Sequence, residues 1–270
     1  MEGTYDTLMD LLDLEPHGID AFVGAGPTYH WGDRVYGGQV AAQALYAAAK
    51  TVDPEFLPHS LHAYFIRGGA SNEPIRYEVD RIRNGRSFAT RRVVARQSAG
   101  AIFNLSASFQ KMEDGADVQT SEIPDVVGPE DLKPDGYTHM FETRSIPVNR
   151  YRAAHWAKLT GPLPDDPVIA ACGLTFVSDD NPMEAITKTH PDRPTDRDPE
   201  TWPFMGASLD HAVWFHRPAP INEWMLYDMR PHGMAGGRGV AFGEVFTQSG
   251  LHVASIAQEG LVRVRRDPSA

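Results

Sequence analysis

Three polar residues in the second half of the chain stand beside apolar runs, where a polar group needs a reason. Asp179 follows the run Val168–Val177, where the spacing predicts that a helix ends. A helix C-terminus carries negative partial charge, so it disfavours an anion. Leu174, Phe176 and Val177 would also desolvate the carboxyl. Both effects raise its pKa toward the range of a general base, and a carboxylate can also attack a carbonyl carbon directly to give a mixed anhydride. The alternative is that Asp179 only caps the next turn, although Asn181-Pro182-Met183-Glu184 already offers a cap, a first-position proline and an acidic third residue. Gln258 lies in the largely apolar run Val253–Val262. A buried amide left unpaired costs about 1–3 kcal/mol, so Gln258 must find partners, either at a site or simply on the backbone. Ser208 opens a strand-like segment, where a hydroxyl orients a neighbour or bonds the local backbone. Gly206-Ala-Ser208-Leu-Asp210 lacks the second glycine of a nucleophile elbow, which argues against an acylated serine.

Other residues could bind charge. Gly37-Gly38-Gln39 opens an alanine-rich helix, and free backbone N–H groups at a helix N-terminus favour negative charge. The two glycines serve equally well as a tight loop-to-helix turn. Arg81, Arg83, Arg86, Arg91, Arg92 and Arg96 form the densest basic cluster, suited either to phosphates or to surface ion pairs on a sheet edge. The eleven histidines show no zinc-ligand spacing. Strand alternation places His59 and His62, and likewise His211 and His216, on opposite faces. His211 is a neighbour of Ser208. Gly237-Arg-Gly239 followed by Gly243 is a poor dinucleotide fingerprint, because it sits between strands. No metal or cofactor is expected. Cys172, the only cysteine, lies in an apolar run and reads as a core residue.

The elements that must carry these residues alternate in type. Thr7–Leu14 has the spacing of a short amphipathic helix, and Gln39–Lys50 is a dense alanine helix buried on most sides. Strand patterns follow at Ser60–Arg67, Ile75–Asn84, Phe88–Gln97 and Ala101–Lys111. Residues Glu113–Tyr137 are acidic and rich in Pro and Gly, which reads as a linker. A second helix is capped by Asp166 with Pro167 at its first position, and a polar loop spans Thr187–Pro203. Strands recur at Ala207–Arg217, Trp224–Arg230, Gly239–Gln248 and Leu251–Arg263. Ala63-Tyr-Phe-Ile-Arg67 matches Val213-Trp-Phe-His-Arg217 at an offset of 150, and Leu105–Gln110 matches Val253–Gln258 at 148. Such near-constant offsets argue for an internal duplication in which Gln110 is the mate of Gln258. The expected division is residues 1–112, a linker 113–145, and a second unit 146–270. The fold class is α+β, with each antiparallel sheet wrapping a helix.

The formal net charge of −11 disfavours a nucleic-acid binder, and no apolar run approaches a membrane span. The lone cysteine and the acidic N-terminus without signal-peptide order lead to an expected cytoplasmic location.

Val35–Leu45, His59–Arg67, Arg83–Arg92 and Ser106–Gln110 resemble the N-terminal half of the acyl-CoA thioesterase II family. Ser208–Pro218 and Ala257–Arg263 resemble its C-terminal half. The resemblance covers nearly the whole chain and is weakest across the linker and Thr187–Pro203; His232–Arg238 has no clear place in it. It implies a double-hotdog fold and hydrolysis of acyl-CoA to free acid and CoA. It also implies a catalytic set at Asp179, Ser208 and Gln258, with serine keeping the hydroxyl of the family's Thr-or-Ser position. On that footing, Gly37, Gly38 and Gln39 become contacts for the thioester carbonyl, and Arg86, Arg91 and Arg92 become CoA contacts. Acyl-CoA is the expected partner, and a homo-oligomer (dimer or tetramer) is expected. Two other readings remain: a non-catalytic acyl-CoA binding module, and a hotdog enoyl-CoA hydratase, against which the lack of a histidine between Asp179 and His190 argues.

Overall fold

The computed structural model describes residues 5–25, 34–136, 138–194 and 202–265. The first half contains α1 (Leu8–Leu11), β1 (Glu15–Pro16), β2 (Ala21–Gly24), α2 (Gly37–Ala49), β3 (Phe56–Phe65), β4 (Ile75–Asn84), β5 (Phe88–Gln97) and β6 (Gly100–Lys111). The second half contains β7 (Phe141–Ile146), β8 (Ala153–Leu159), α3 (Pro167–Ser178), α4 (Pro182–Lys188), β9 (Phe204–Ser208), β10 (Asp210–Phe215), β11 (Met225–Ala235), β12 (Arg238–Thr247) and β13 (His252–Val264). No helix among the described residues is long and apolar enough to cross a membrane.

The described strands form one antiparallel sheet in the order β1-β2-β4-β5-β6-β3-β10-β13-β12-β11-β8-β7, with β9 also on β13. Its seam is β3 against β10, where Leu61 pairs with Val213 and Ala63 with His211. The buried faces of the strands alternate, as in Leu105, Ala107 and Phe109 on β6, and they close over α2 and α3. The two helices lie against each other in the middle of this core. Small residues allow that approach. A Cβ on Gly38 would strike the carbonyl of Phe176, so only glycine fits there. Tyr36 donates to that same carbonyl at 2.9 Å, and its ring meets Phe176 edge-on at 5.1 Å.

The duplication is visible in the irregularities. The bulge at Arg81/Arg83 in β4 recurs at Pro231/Gly233 in β11, 150 residues on (231 against 81). A second irregularity falls at His59 in the pairing of β3 and at Leu209 between β9 and β10, at the same offset (209 against 59). The register corrects one expected equivalence. Ala63 pairs with Leu105 and Val213 with Ile256, so Gln258 corresponds to Ala107 and not to Gln110. Gln110 lies on the other face from Ala107 and Phe109. The bulge at His59 also overturns the expectation for the first histidine pair. His59 bonds Ser108 and His62 packs on Trp214, both on the outer face.

Some elements differ from their sequence expectation. The first helix is one turn, closed by a capping box between Thr7 and Asp10. The strand expected at Ala207–Arg217 is split at Leu209 into β9 and β10. Strands β7 and β8 were not expected, and β7 begins inside the stretch read as linker 113–145. Its Phe141 and Thr143 point inward with Glu142 and Arg144 outward, an alternation hidden by the polar Thr143. The rest of that stretch has little regular structure but is pinned to the second half of the sheet. Gln119 bonds Gly250 and His252, and the Trp156 indole donates to Val127 at 2.9 Å. Ile123, Val126 and Leu132 thereby cover the small outer cluster of Trp156, Leu226 and Phe246. The polar loop expected over Thr187–Pro203 begins two residues later, at Thr189, because α4 runs through Lys188, and residues 195–201 of it lie outside the described residues.

Candidate active site

Asp179 is the C-cap of α3, with φ −85° and ψ −5°. Asp166 starts that helix: its side chain accepts from Val168 N at 2.8 Å, with Pro167 at the first helical position. Asn181 does not cap α4 as expected; its side-chain amide turns to the Nδ1 of His155 on β8. Asp179 is buried, and burial pushes its carboxyl up from 3.8 to about 7. Hydrogen bonds from Gln258, the Gly38 backbone and Ser208 pull in the opposite direction. Because the two helices run antiparallel, the N-terminus of α2 faces the C-terminus of α3. The unfavourable dipole expected from α3 is therefore met by a favourable one from α2.

Ser208 and Gln258 reach the same point from the sheet. Ser208 is the last residue of β9, and its Oγ lies 3.5 Å from Asp179 Oδ1. Gln258 is fully buried on β13 and donates from Nε2 to Ser208 Oγ at 2.8 Å. The break at Leu209 matters here. In an unbroken strand, residues three apart face opposite sides, yet both Ser208 and His211 are joined to Gln258. A carboxyl titrating near neutrality, a hydroxyl and an amide that leave α3, β9 and β13 thus converge in one place, and this set can hold and deprotonate a water.

The other expected site residues divide. Gly37 belongs to the constellation: a Cβ there would come within 2.5 Å of Asp179 Oδ2 and 2.7 Å of the Phe65 ring. The Gly38 N–H donates to the Asp179 carboxylate, so in this structure the helix N-terminus holds the carboxylate itself. The Gln39 side chain does not join them; its Nε2 donates to Ala25 O at 3.1 Å and tethers α2 to the preceding loop. Arg91 is corrected from the CoA-binding expectation. It is 2% exposed, and its N–H groups bond Thr51 Oγ1, Thr51 O, Arg83 O, Thr90 O and Asn84 Oδ1, which leaves none for a phosphate. Arg92 is exposed and paired with Asp80, and Arg86 is exposed. The sequence reading missed how closely His211 is tied to this group, with Nδ1 2.6 Å from Gln258 Oε1. Its only signal was the spacing Ser208-Leu-Asp-His211 across a strand break that the sequence does not announce.

The register also shows why the first half offers no twin site. The positions matching Ser208, His211 and Gln258 hold Pro58, Leu61 and Ala107, and Arg91 takes the place of Ala241.

Comparison with known proteins identifies the family. Residues 26–110 match the acyl-CoA thioesterase N-terminal domain family, and residues 113–262 match the acyl-CoA thioesterase C-terminal domain family. The chain belongs to the acyl-CoA thioesterase II family. This thioesterase is 34% identical to acyl-CoA thioesterase 2 of Haemophilus influenzae, over 97% of this chain and 99% of that one. The crystal structure of an acyl-CoA thioesterase II from Mycobacterium marinum superposes with a TM-score of 0.84 at 36% identity, covering 96% of this chain and 99% of the other. A hotdog protein from Alicyclobacillus acidocaldarius shares the fold, with a TM-score of 0.77 at 19% identity over 96% and 98% of the two chains. The double-hotdog architecture expected from the sequence is thus the fold of this thioesterase.

Proposed function

We propose that this enzyme hydrolyses acyl-CoA thioesters to a free carboxylic acid and CoA, with Asp179 as the general base. The observation that carries the reading is the buried carboxyl at about 7, hydrogen-bonded to a serine and a glutamine from two other elements. The ionised Asp179 takes a proton from a water oriented by Ser208 and Gln258. The water oxygen attacks the thioester carbon, the C–S bond breaks, and CoA leaves as the thiol once protonated. Correct acid–base placement of this kind contributes about 10²–10⁴-fold in rate. Of Arg86, Arg91 and Arg92, exposed Arg86 is the one left to meet CoA phosphates, because Arg91 is committed internally and Arg92 is paired. Arg86→Ala should raise KM for acyl-CoA without lowering kcat; an unchanged KM would remove Arg86 from the binding surface.

The enoyl-CoA hydratase reading is not favoured. His211 stands near Asp179 but is buried with both ring nitrogens engaged, so it cannot meet a substrate. The test is thiol release from a panel of acyl-CoA esters, read with a thiol reagent, for the wild type and Asp179→Asn. A hydrolase frees CoA, a hydratase adds water without freeing thiol, and a binding module does neither. Asp179→Asn should lose activity by about 10²–10⁴-fold. Full activity in that variant would remove Asp179 from the mechanism.

A further inference from the structure

His211 is joined to the candidate site through an unbroken chain of hydrogen bonds. Its Nε2 lies 2.8 Å from Ser178 Oγ, at the last residue of α3, and its Nδ1 lies 2.6 Å from Gln258 Oε1. Gln258 continues to Ser208 and Ser208 to Asp179. The chain leaves α3 at Ser178 and returns one residue later at Asp179. His211 and Gln258 are both buried, so water does not compete for these bonds.

The direction of each bond follows from the acceptor end. Ionised Asp179 can only accept, so Ser208 must donate its proton to it. Ser208 oxygen then accepts from an N–H of Gln258, which turns Oε1 toward His211. His211 must therefore carry its proton on Nδ1, and its bare Nε2 accepts from Ser178. The reversed chain is also saturated. With the proton on Nε2, His211 donates to Ser178, whose own proton goes to Thr175 O at 2.9 Å. Gln258 then turns its N–H groups to Nδ1, and its Oε1 captures the Ser208 proton. In that arrangement Asp179 loses the donors from both Gln258 and Ser208. One ring proton thus separates a site that holds an ionised base from one that does not. Burial lowers the His211 pKa to about 4, so near neutral pH the ring carries a single proton.

We propose that His211 is a positioning residue that, through its Nδ1–H tautomer, fixes which end of the Gln258 amide faces Ser208 and Asp179. The inference rests on the reading of Asp179 as the base, and its test separates the two. The tautomer is read by ¹⁵N NMR of histidine-labelled wild-type enzyme at pH 8. The Nδ1–H form is expected, and the Nε2–H form would overturn the proposal. Kinetics supply the second arm. In His211→Asn an amide N–H replaces Nδ1–H, whereas His211→Gln places its amide nearer the Nε2 position. The Gln variant should lose at least about tenfold in kcat with KM little changed, and the apparent pKa of its pH–rate profile should move upward. The Asn variant should keep kcat within a few-fold and leave that pKa in place. Equal losses in both variants, or an unmoved pKa in the Gln variant, would show that the ring only fills space. If instead Asp179→Asn were fully active while wild-type His211 kept its Nδ1 proton, the base assignment would fail and the tautomer assignment would stand.

Discussion

Replacing Asp179 by asparagine should cost activity and gain stability, and the gain should depend on pH. Burial holds the carboxyl at about 7 against an ordinary 3.8. Between these values the folded protein keeps a proton that the unfolded chain has released, so wild-type stability falls as pH rises through this window. At about 1.36 kcal/mol per pH unit, the loss amounts to about 4 kcal/mol once the pH is well above 7. Asparagine has nearly the same shape, can still accept the Gly38 N–H, and has no charge to desolvate. Urea unfolding of both proteins at pH 4.5 and pH 8 measures the difference. The variant should be close to wild type at the lower pH and more stable by up to about 4 kcal/mol at the higher one. A stability difference that does not change between the two pH values would refute the argument, because the carboxyl would then carry no burial penalty. Such a gain in stability at the expense of rate is the exchange expected where a charge is kept buried for chemistry.

Two further outcomes follow from the packing. Gly37→Ala should lower kcat by about 10²-fold, since the new Cβ must displace either the Asp179 carboxyl or the Phe65 ring and such misplacement by about 1 Å is costly; thiol release under saturating substrate checks it. Arg91→Met should destabilise the protein by about 2–4 kcal/mol in urea, because five acceptor contacts lose their donors, while KM for acyl-CoA stays unchanged in the folded enzyme.

Much of this architecture is legible from local physics. Asp166-Pro167 announces the start of α3, and the end of the apolar run Val168–Val177 sets Asp179 at the helix end. The alternation in Ile75–Asn84 and Phe88–Gln97 coincides with β4 and β5. What the sequence conceals is register. A single extra residue at His59 and at Leu209 reverses which side chains face the helices, and no composition or spacing marks such a bulge. That is why His62 turns outward beside His59 and why His211 reaches Gln258; Gln110 is not the counterpart of Gln258 because the strand pairing sets β13 151 residues after β6 (256 against 105), not 148. Arg91 was misread for another reason. An arginine on a strand looks like a surface charge until the acceptors around it, from Thr51, Arg83, Thr90 and Asn84, are seen to close on it from three segments.

The most direct test of the water-activation mechanism is one turnover in H₂¹⁸O with enzyme in excess over acyl-CoA, followed by mass analysis of the fatty acid and of the peptide containing Asp179. If Asp179 delivers a water to the thioester carbon, the released acid carries one ¹⁸O and the peptide carries none. An unlabelled acid with ¹⁸O in the Asp179 carboxyl would mean that the carboxylate itself attacked, and would contradict the account.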